Sequence, residues 1–385
     1  MRHACLPLIT LLALGACTSP SGTSGENSGE VQPTEPTFAI EAFESFDEPW
    51  AMAFRPGTET LFITEQGGAV RSYDTRTGRL GSIASGIPDV DYGGQGGLGD
   101  IAFHPEADAQ DPPMLYLTWV EAGPGGTRGA ALGRGLLTCD QAGSCELRDF
   151  ETLWRQDKTT GRGHFGHRIA FSPDGQYIFL SSGERQKFDP AQDLTNNMGA
   201  ILRLELDGSA AEGNPFFDRG GSAAEIWSYG HRNPLGLAFA PDGRLWQHEM
   251  GPKAGDEVNL IERGKNYGYP LVSNGDHYNG DDIPDHAPGD GFEAPDVYWY
   301  PVTSAPSGLI VYSGDLFPEW TGSLLLGGLA SRALMRVEPT GDTARKADHW
   351  EMGERIREVE QGPDGAVWVL EDGDGGRLLR LTPGG

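Results

Sequence analysis

From about residue 38 onward the chain alternates short apolar runs with clusters of Pro, Asp and Gly, and one weak phrase returns several times. It reads FRPGTETLFITE from Phe54, FHPEADAQDPPMLYLTW from Phe103, FSPDGQYIFLSSGE from Phe171, FAPDGRLWQHEMG from Phe239 and QGPDGAVWVLEDGD from Gln361. Each copy predicts a strand, a tight turn and a second strand, because Pro presets φ and Gly supplies the positive φ between two β-rich runs. Sustained helical periodicity is absent. The turn prolines are Pro56, Pro105, Pro173, Pro241 and Pro363, and the last interval is about twice the others. A degenerate copy is therefore expected in the gap, around LIVYSGDLFPEWTGSLLLGGL from Leu309. Six such units predict an all-β chain folded as a six-bladed β-propeller, with the segment 38–43 completing the last blade and closing the ring.

The pattern before residue 38 is different. Arg2 and His3 precede a short apolar run, residues 6–14, and Leu14-Gly15-Ala16-Cys17 follows. The run is too short to span a bilayer, and small residues before a cysteine resemble the lipobox of bacterial lipoproteins. Residues 18–37 are rich in Ser, Gly, Pro, Thr and Glu and read as a tether. The expected organisation is a signal segment over 1–17, a linker over 18–37 and the propeller over 38–385. The protein would sit in the periplasm or at the cell surface, anchored through Cys17. Of the remaining cysteines, Cys139 and Cys145 in TCDQAGSCE suit a small disulfide in an oxidising compartment; a metal site is the weaker reading, since no second pair completes it. The formal net charge of −27 speaks against nucleic acid or an anionic membrane surface as partner, so membrane contact is expected only through the anchor.

Unusual polar residues recur at matching distances from the turns. Gln95, His164 and Arg232 lie nine or ten residues ahead of a turn proline, and Arg355 and Arg357 lie slightly closer to theirs. Glu65, Glu184, Glu249 and Glu371 end the second strands. In a hairpin the two free ends lie opposite the turn, so radial repetition should gather these groups at one mouth of the central channel. An imidazole, several guanidiniums, amides and carboxylates on one face suit an anionic planar ligand with a cation beside it.

The motifs HFGHR (164–168), SYGHRNPLGLAF (228–239), EMGPKAGDEVNLIERGKNYGYP (249–270) and ERIREV (354–359) resemble the soluble quinoprotein sugar dehydrogenases. The resemblance runs from about residue 49 to residue 381 and implies pyrroloquinoline quinone (PQQ) and Ca2+ as cofactors. It implies His164 as general base toward the anomeric hydroxyl of an aldose and Arg232 as the group that polarises the quinone oxygen. Gln95, Asn233, Arg355 and Arg357 would hold the cofactor. The carbonyls of Gly251 and Pro252 would bind the calcium beside it, and Glu257 with the backbone of Tyr267 a second, structural one. Relatives place a lysine where this chain has Ala330, and an aspartate where it has Glu184. Electrons would pass to a cytochrome or a quinone, as the chain has no CxxCH haem site, and a monomer or homodimer is expected. A lactone hydrolase and a non-catalytic binding propeller are the alternatives; the arginines disfavour the first and His164 the second.

Overall fold

The computed structural model describes residues 1, 31–107, 110–140 and 142–384. The signal segment, Cys17 and most of the tether lie outside them. The described residues form six four-stranded antiparallel blades whose innermost strands are Pro49–Phe54, Leu98–Phe103, Gly166–Phe171, Pro234–Phe239, Pro306–Val311 and Ile356–Gln361. These strands contact one another in order, and that of blade 6 closes against that of blade 1. The degenerate copy is blade 5, whose second strand is Leu324–Gly328. The first strand, Phe38–Asp47, is the outermost strand of blade 6, pairing Phe38 with Pro383 and Asp47 with Asp374.

The second strands read as unbroken apolar runs because both of their faces are buried. In LYL, for example, Leu115 and Leu117 pack against blade 1 while Tyr116 packs against blade 3. The same split places Leu324 and Leu326 against blade 4 and Leu325 against blade 6. Six apolar layers thus lie between six blades, and each fully buried Leu in them contributes about 2 kcal/mol.

Two features go beyond the repeat. The outermost strands of blades 1 and 2, Arg79–Ser85 and Ser144–Arg155, pair in parallel, with Ile83 opposite Cys145. The Cys139–Cys145 disulfide clips the hairpin beside this seam. In addition, every innermost strand breaks register with its partner within its first residues: 49/51, 98/101, 166/169, 234/236, 307/309 and 356/358. Bulges re-aim side chains, and here all six lie at the same mouth of the channel.

Candidate active site

The hairpin ends meet as the repeat requires. Pro49 pairs with Glu65, Gly166 with Ser182, Pro234 with Glu249 and Ile356 with Glu371, so the residues just before the first strands and just after the second share one rim. Two adjoining cavities open there, of about 370 and 480 Å³.

The larger cavity holds His164. Its backbone is left-handed (φ 51°), as are those of His167, Arg185, Gln186 and Phe188 nearby. Non-glycine residues in that region cost of order 1 kcal/mol each and persist only where surroundings impose them. For His164 the surroundings are explicit: its N–H donates to Gln95 Oε1 (2.6 Å) and its carbonyl accepts from the Arg185 N–H (3.1 Å). Gly183 passes so close that a Cβ there would stand 2.3 Å from the His164 carbonyl oxygen. The ring is buried, and Nδ1 lies 2.5 Å from Glu184 Oε1. A carboxylate on Nδ1 selects the tautomer that leaves Nε2 as the bare lone pair. Burial pulls the imidazole below its ordinary range; Glu184 opposes this and Arg232 adds to it. The imidazole is therefore neutral at neutral pH. Burial would raise the Glu184 carboxyl, but His164 and the backbone N–H of Phe188 hold it low.

Arg232 stands beside this pair. Its N–H donates to Glu249 Oε2 (2.6 Å), and its Nη1 donates to the carbonyls of Met250 (2.8 Å) and Gly251. Its buried Nε has no partner. Its guanidinium lies 5.8 Å from the Tyr269 ring and 5.9 Å from the Tyr278 ring. Pro252 lines the same cavity, and Gln95 lines both.

The smaller cavity takes Gln95, Asn233, Arg355 and Arg357 among the apolar side chains of Trp50, Phe165, Leu235 and Leu329. Asp372 receives both arginines, from Arg355 Nε at 2.6 Å and Arg357 Nε at 2.7 Å. The two guanidiniums keep N–H donors beyond those given to Asp372, available to an anionic ligand, while Glu48 also lines the cavity. Asn233 Oδ1 is buried without a partner. Beneath, His167 stacks on Trp50 (4.9 Å), and the Arg168 guanidinium lies 4.1 Å from the same ring while paired with Asp100 and Glu358.

The sequence-derived residues thus divide. Gln95, Asn233, Arg355 and Arg357 line the first cavity; Gln95, His164, Arg232 and Pro252 line the second. Gly251 lies behind, its carbonyl already accepting from Arg232, which leaves one lone pair for a cation. Glu257 and Tyr267 lie in neither. Glu257 faces Glu249 across the sheet, and its carboxyl is raised by burial first and by Glu249 second. His231 joins them to Tyr267, with Nδ1 3.6 Å from Glu249 Oε1 and its ring stacked on Tyr267 at 4.6 Å. Two buried carboxylates side by side form an oxygen-rich corner suited to calcium. Among the described residues no three His, Cys, Asp or Glu side chains converge as a metal cage, so backbone carbonyls would have to complete either cation site. Ala330 lies on the exposed turn after blade 5's second strand, its N–H on Ser304 O (3.0 Å). Neither nearby cation replaces the lysine: Arg332 donates to Gly353 O, and Lys346 sits on the outermost strand over Trp299.

The sequence reading missed Asp372 as a bridge, the Trp50–His167–Arg168 floor, and the aromatic wall of Phe188, Tyr269 and Tyr278. The second histidine of HFGHR was the available signal for the floor. The wall comes from loops with no repeat to align.

Residues 46–380 match the family model described as Glucose / Sorbosone dehydrogenase. Aldose sugar dehydrogenase YliI of Escherichia coli K12 is 39% identical over 347 residues, covering 88% of this chain and 91% of that protein. The crystal structure of the soluble aldose sugar dehydrogenase of Escherichia coli in its apo form superposes with a TM-score of 0.84 at 38% identity, covering 90% of this chain and 100% of that one. The PQQ-bound aldose sugar dehydrogenase of Streptomyces coelicolor superposes with a TM-score of 0.73 at 28% identity, covering 91% and 99%.

Proposed function

Since the chain belongs to the glucose/sorbosone dehydrogenase family, we propose that it is an oxidoreductase that oxidises an aldose at its anomeric carbon to the lactone, using PQQ and calcium. The observation that carries this reading is the His164–Glu184 pair, set in a cavity that shares Gln95 with a second, arginine-lined cavity.

His164 Nε2 takes the proton of the C1 hydroxyl, while Glu184 holds Nδ1–H and stabilises the imidazolium that forms. Arg232, with an unpartnered Nε and a charge that need not reorganise, stabilises negative charge developing between substrate and acceptor. Arg355, Arg357 and Asn233 hold and orient the cofactor's anionic and polar edge, and Gln95 fixes the base relative to it. PQQ, when bound, supplies the two-electron acceptor for the hydride from C1. The carbonyls of Gly251 and Pro252 would hold the adjacent calcium, and Glu257 with Tyr267 the structural one. The same reading puts the enzyme in the periplasm or at the cell surface, tethered through Cys17, a setting that suits the Cys139–Cys145 disulfide. Among the described residues no helix is long and apolar enough to cross a membrane.

The test is dye reduction by the purified protein, reconstituted with PQQ and calcium, over a panel of aldoses. Turnover that needs both additions supports the reading. Absence of turnover with every aldose, despite saturating PQQ and calcium, overturns it.

A further inference from the structure

The described residues expose few large apolar side chains, and most of these share one face. Tyr92, Phe188, Leu271, Tyr278, Tyr300 and Val302 all stand on loops at the mouth that carries the two cavities. Four of them, including Leu271 (55% exposed) and Tyr278 (74%), belong to the long loop of blade 4 and the connection from blade 4 to blade 5. An aromatic-rich apolar patch around a functional opening is the composition of a contact surface. Residues 271–302 contain no Lys or Arg, and the exposed cation beside them is Lys253. Asp281, Asp282 and Asp285 are exposed on the same loop. Lys265, at the start of that loop, pairs with Glu293 and Glu262 instead. The chain as a whole carries a formal charge of −27.

The patch touches the chemistry. Tyr278 lines the larger cavity, 5.9 Å from the Arg232 guanidinium. The loop is also built to hold its shape there. Lys253 and Asp276 exchange backbone hydrogen bonds (2.8 and 3.2 Å), and the His277 N–H donates to Asp281 O (3.0 Å).

On the dehydrogenase reading, each sugar oxidised leaves two electrons in the site, and turnover ends only when they depart. Two one-electron acceptors balance the step: each gains one electron, and two protons go to solvent. We propose that the acidic, aromatic rim formed by the 271–302 loops is the docking surface for a basic one-electron carrier, a small lysine-rich haem protein in chemical type. A free neutral acceptor small enough to enter the cavity has no use for apolar groups outside it, or for carboxylates around them. A basic protein uses both: the carboxylates steer it, and the apolar groups form the dry centre of a brief contact.

The probe is a lysine-rich c-type cytochrome, with its lysine-acetylated form as the charge-neutralised control. The protein is fully reconstituted with aldose in excess, and a small neutral dye is run in parallel. Reduction of the basic cytochrome should fall about tenfold or more between 0.01 M and 0.15 M salt, as the screening length drops from about 30 to about 8 Å. The acetylated form should be reduced slowly and without salt dependence. The triple variant Asp281→Asn/Asp282→Asn/Asp285→Asn should lose about tenfold in kcat/KM for the basic cytochrome at low salt, and Leu271→Ser/Val302→Ser should weaken it further at high salt. Dye reduction by both variants should match the parent. Binding of the same cytochrome to cofactor-free protein, followed by titration calorimetry, should weaken in parallel. Equal rates with native and acetylated cytochrome, or unchanged rates in the triple variant, would overturn the docking surface while leaving the dehydrogenase intact. Loss of dye reduction in the parent itself would instead sink the enzymatic reading on which it rests.

Discussion

Replacing Glu184 by Gln is isosteric, yet the hydrogen bonds around it predict more than the loss of a charge. Oε1 faces His164 Nδ1 at 2.5 Å, while Oε2 accepts the backbone N–H groups of Lys187 and Phe188, the latter at 2.7 Å. A glutamine has one oxygen for these two sides. Turning its NH2 toward the backbone would leave two N–H donors facing a donor, whereas turning it toward His164 leaves one. An unmet buried donor costs about 1–3 kcal/mol, so the amide should face its NH2 to the ring by roughly that margin. Nδ1 must then accept, the ring proton moves to Nε2, and the atom required as base is blocked. We therefore expect kcat to fall on the order of 10²- to 10⁴-fold, the range of a misdirected catalytic histidine, while PQQ affinity stays near that of the parent. The assay is steady-state dye reduction at saturating PQQ and calcium, with an absorbance titration of the cofactor. The pH profile gives a second readout. The neutral base is the active form and burial lowers its pKa, so kcat/KM should rise with pH at values below the ordinary histidine range and then level off. Losing the Glu184 anion destabilises imidazolium and shifts that rise to still lower pH. A kcat within about threefold of the parent would refute the tautomer argument.

Arg357→Ala should weaken PQQ binding about 10- to 100-fold by removing a charge-assisted donor, and Arg357→Lys should recover only part of it, since the fork geometry is lost; equal affinities in a cofactor titration would remove Arg357 from the site. Exhaustive chelation should abolish dye reduction and added calcium should restore it, whereas full activity after chelation would contradict the Gly251–Pro252 assignment. At the opposite channel opening, burial and then Glu358 push the Glu360 carboxyl up to about 8. The folded state then holds a proton that the unfolded chain releases near 4.5, so stability falls as pH rises from that value through 8. Glu360→Gln should accordingly leave Tm nearly unchanged at pH 5 and raise it by about 2 °C at pH 8.5; an equal shift at both pH values would dismiss the proton as its cause.

The blade positions were legible because each hairpin must present the same turn chemistry, and even blade 5, which lacks Pro-Asp-Gly, was located from the interval left for it. The convergence of Gln95, His164, Arg232, Arg355 and Arg357 was legible for the same reason: radial symmetry turns equal sequence distance into proximity. The six bulges were not, because a one-residue register break has no common compositional mark: its residues are Pro49-Trp50-Ala51 in one blade and Gly166-His167-Arg168-Ile169 in another. Glu249 and Glu257 sit eight positions apart, and only the register of their two strands shows that they face each other. The parallel seam between Ile83 and Cys145 joins edges whose sequences resemble any solvated strand. Nor does an acidic loop announce that Tyr278, in its midst, reaches the cavity.

The pairing of Phe38–Asp47 with Asp374–Pro383 makes the earliest strand of the fold depend on the latest. At ribosomal speed the two are separated by tens of seconds of synthesis, and joining ends some 330 residues apart carries a chain-entropy cost of about 5 kcal/mol beyond a fixed constant. Closure therefore comes late, on a ring whose other layers have already formed. A chain cut short before Asp374 would yield five sound blades and a sixth with an unpaired edge, a substrate for proteases and for aggregation. The joint acts as a checkpoint: only a chain translated through Asp374–Pro383 can become a closed ring.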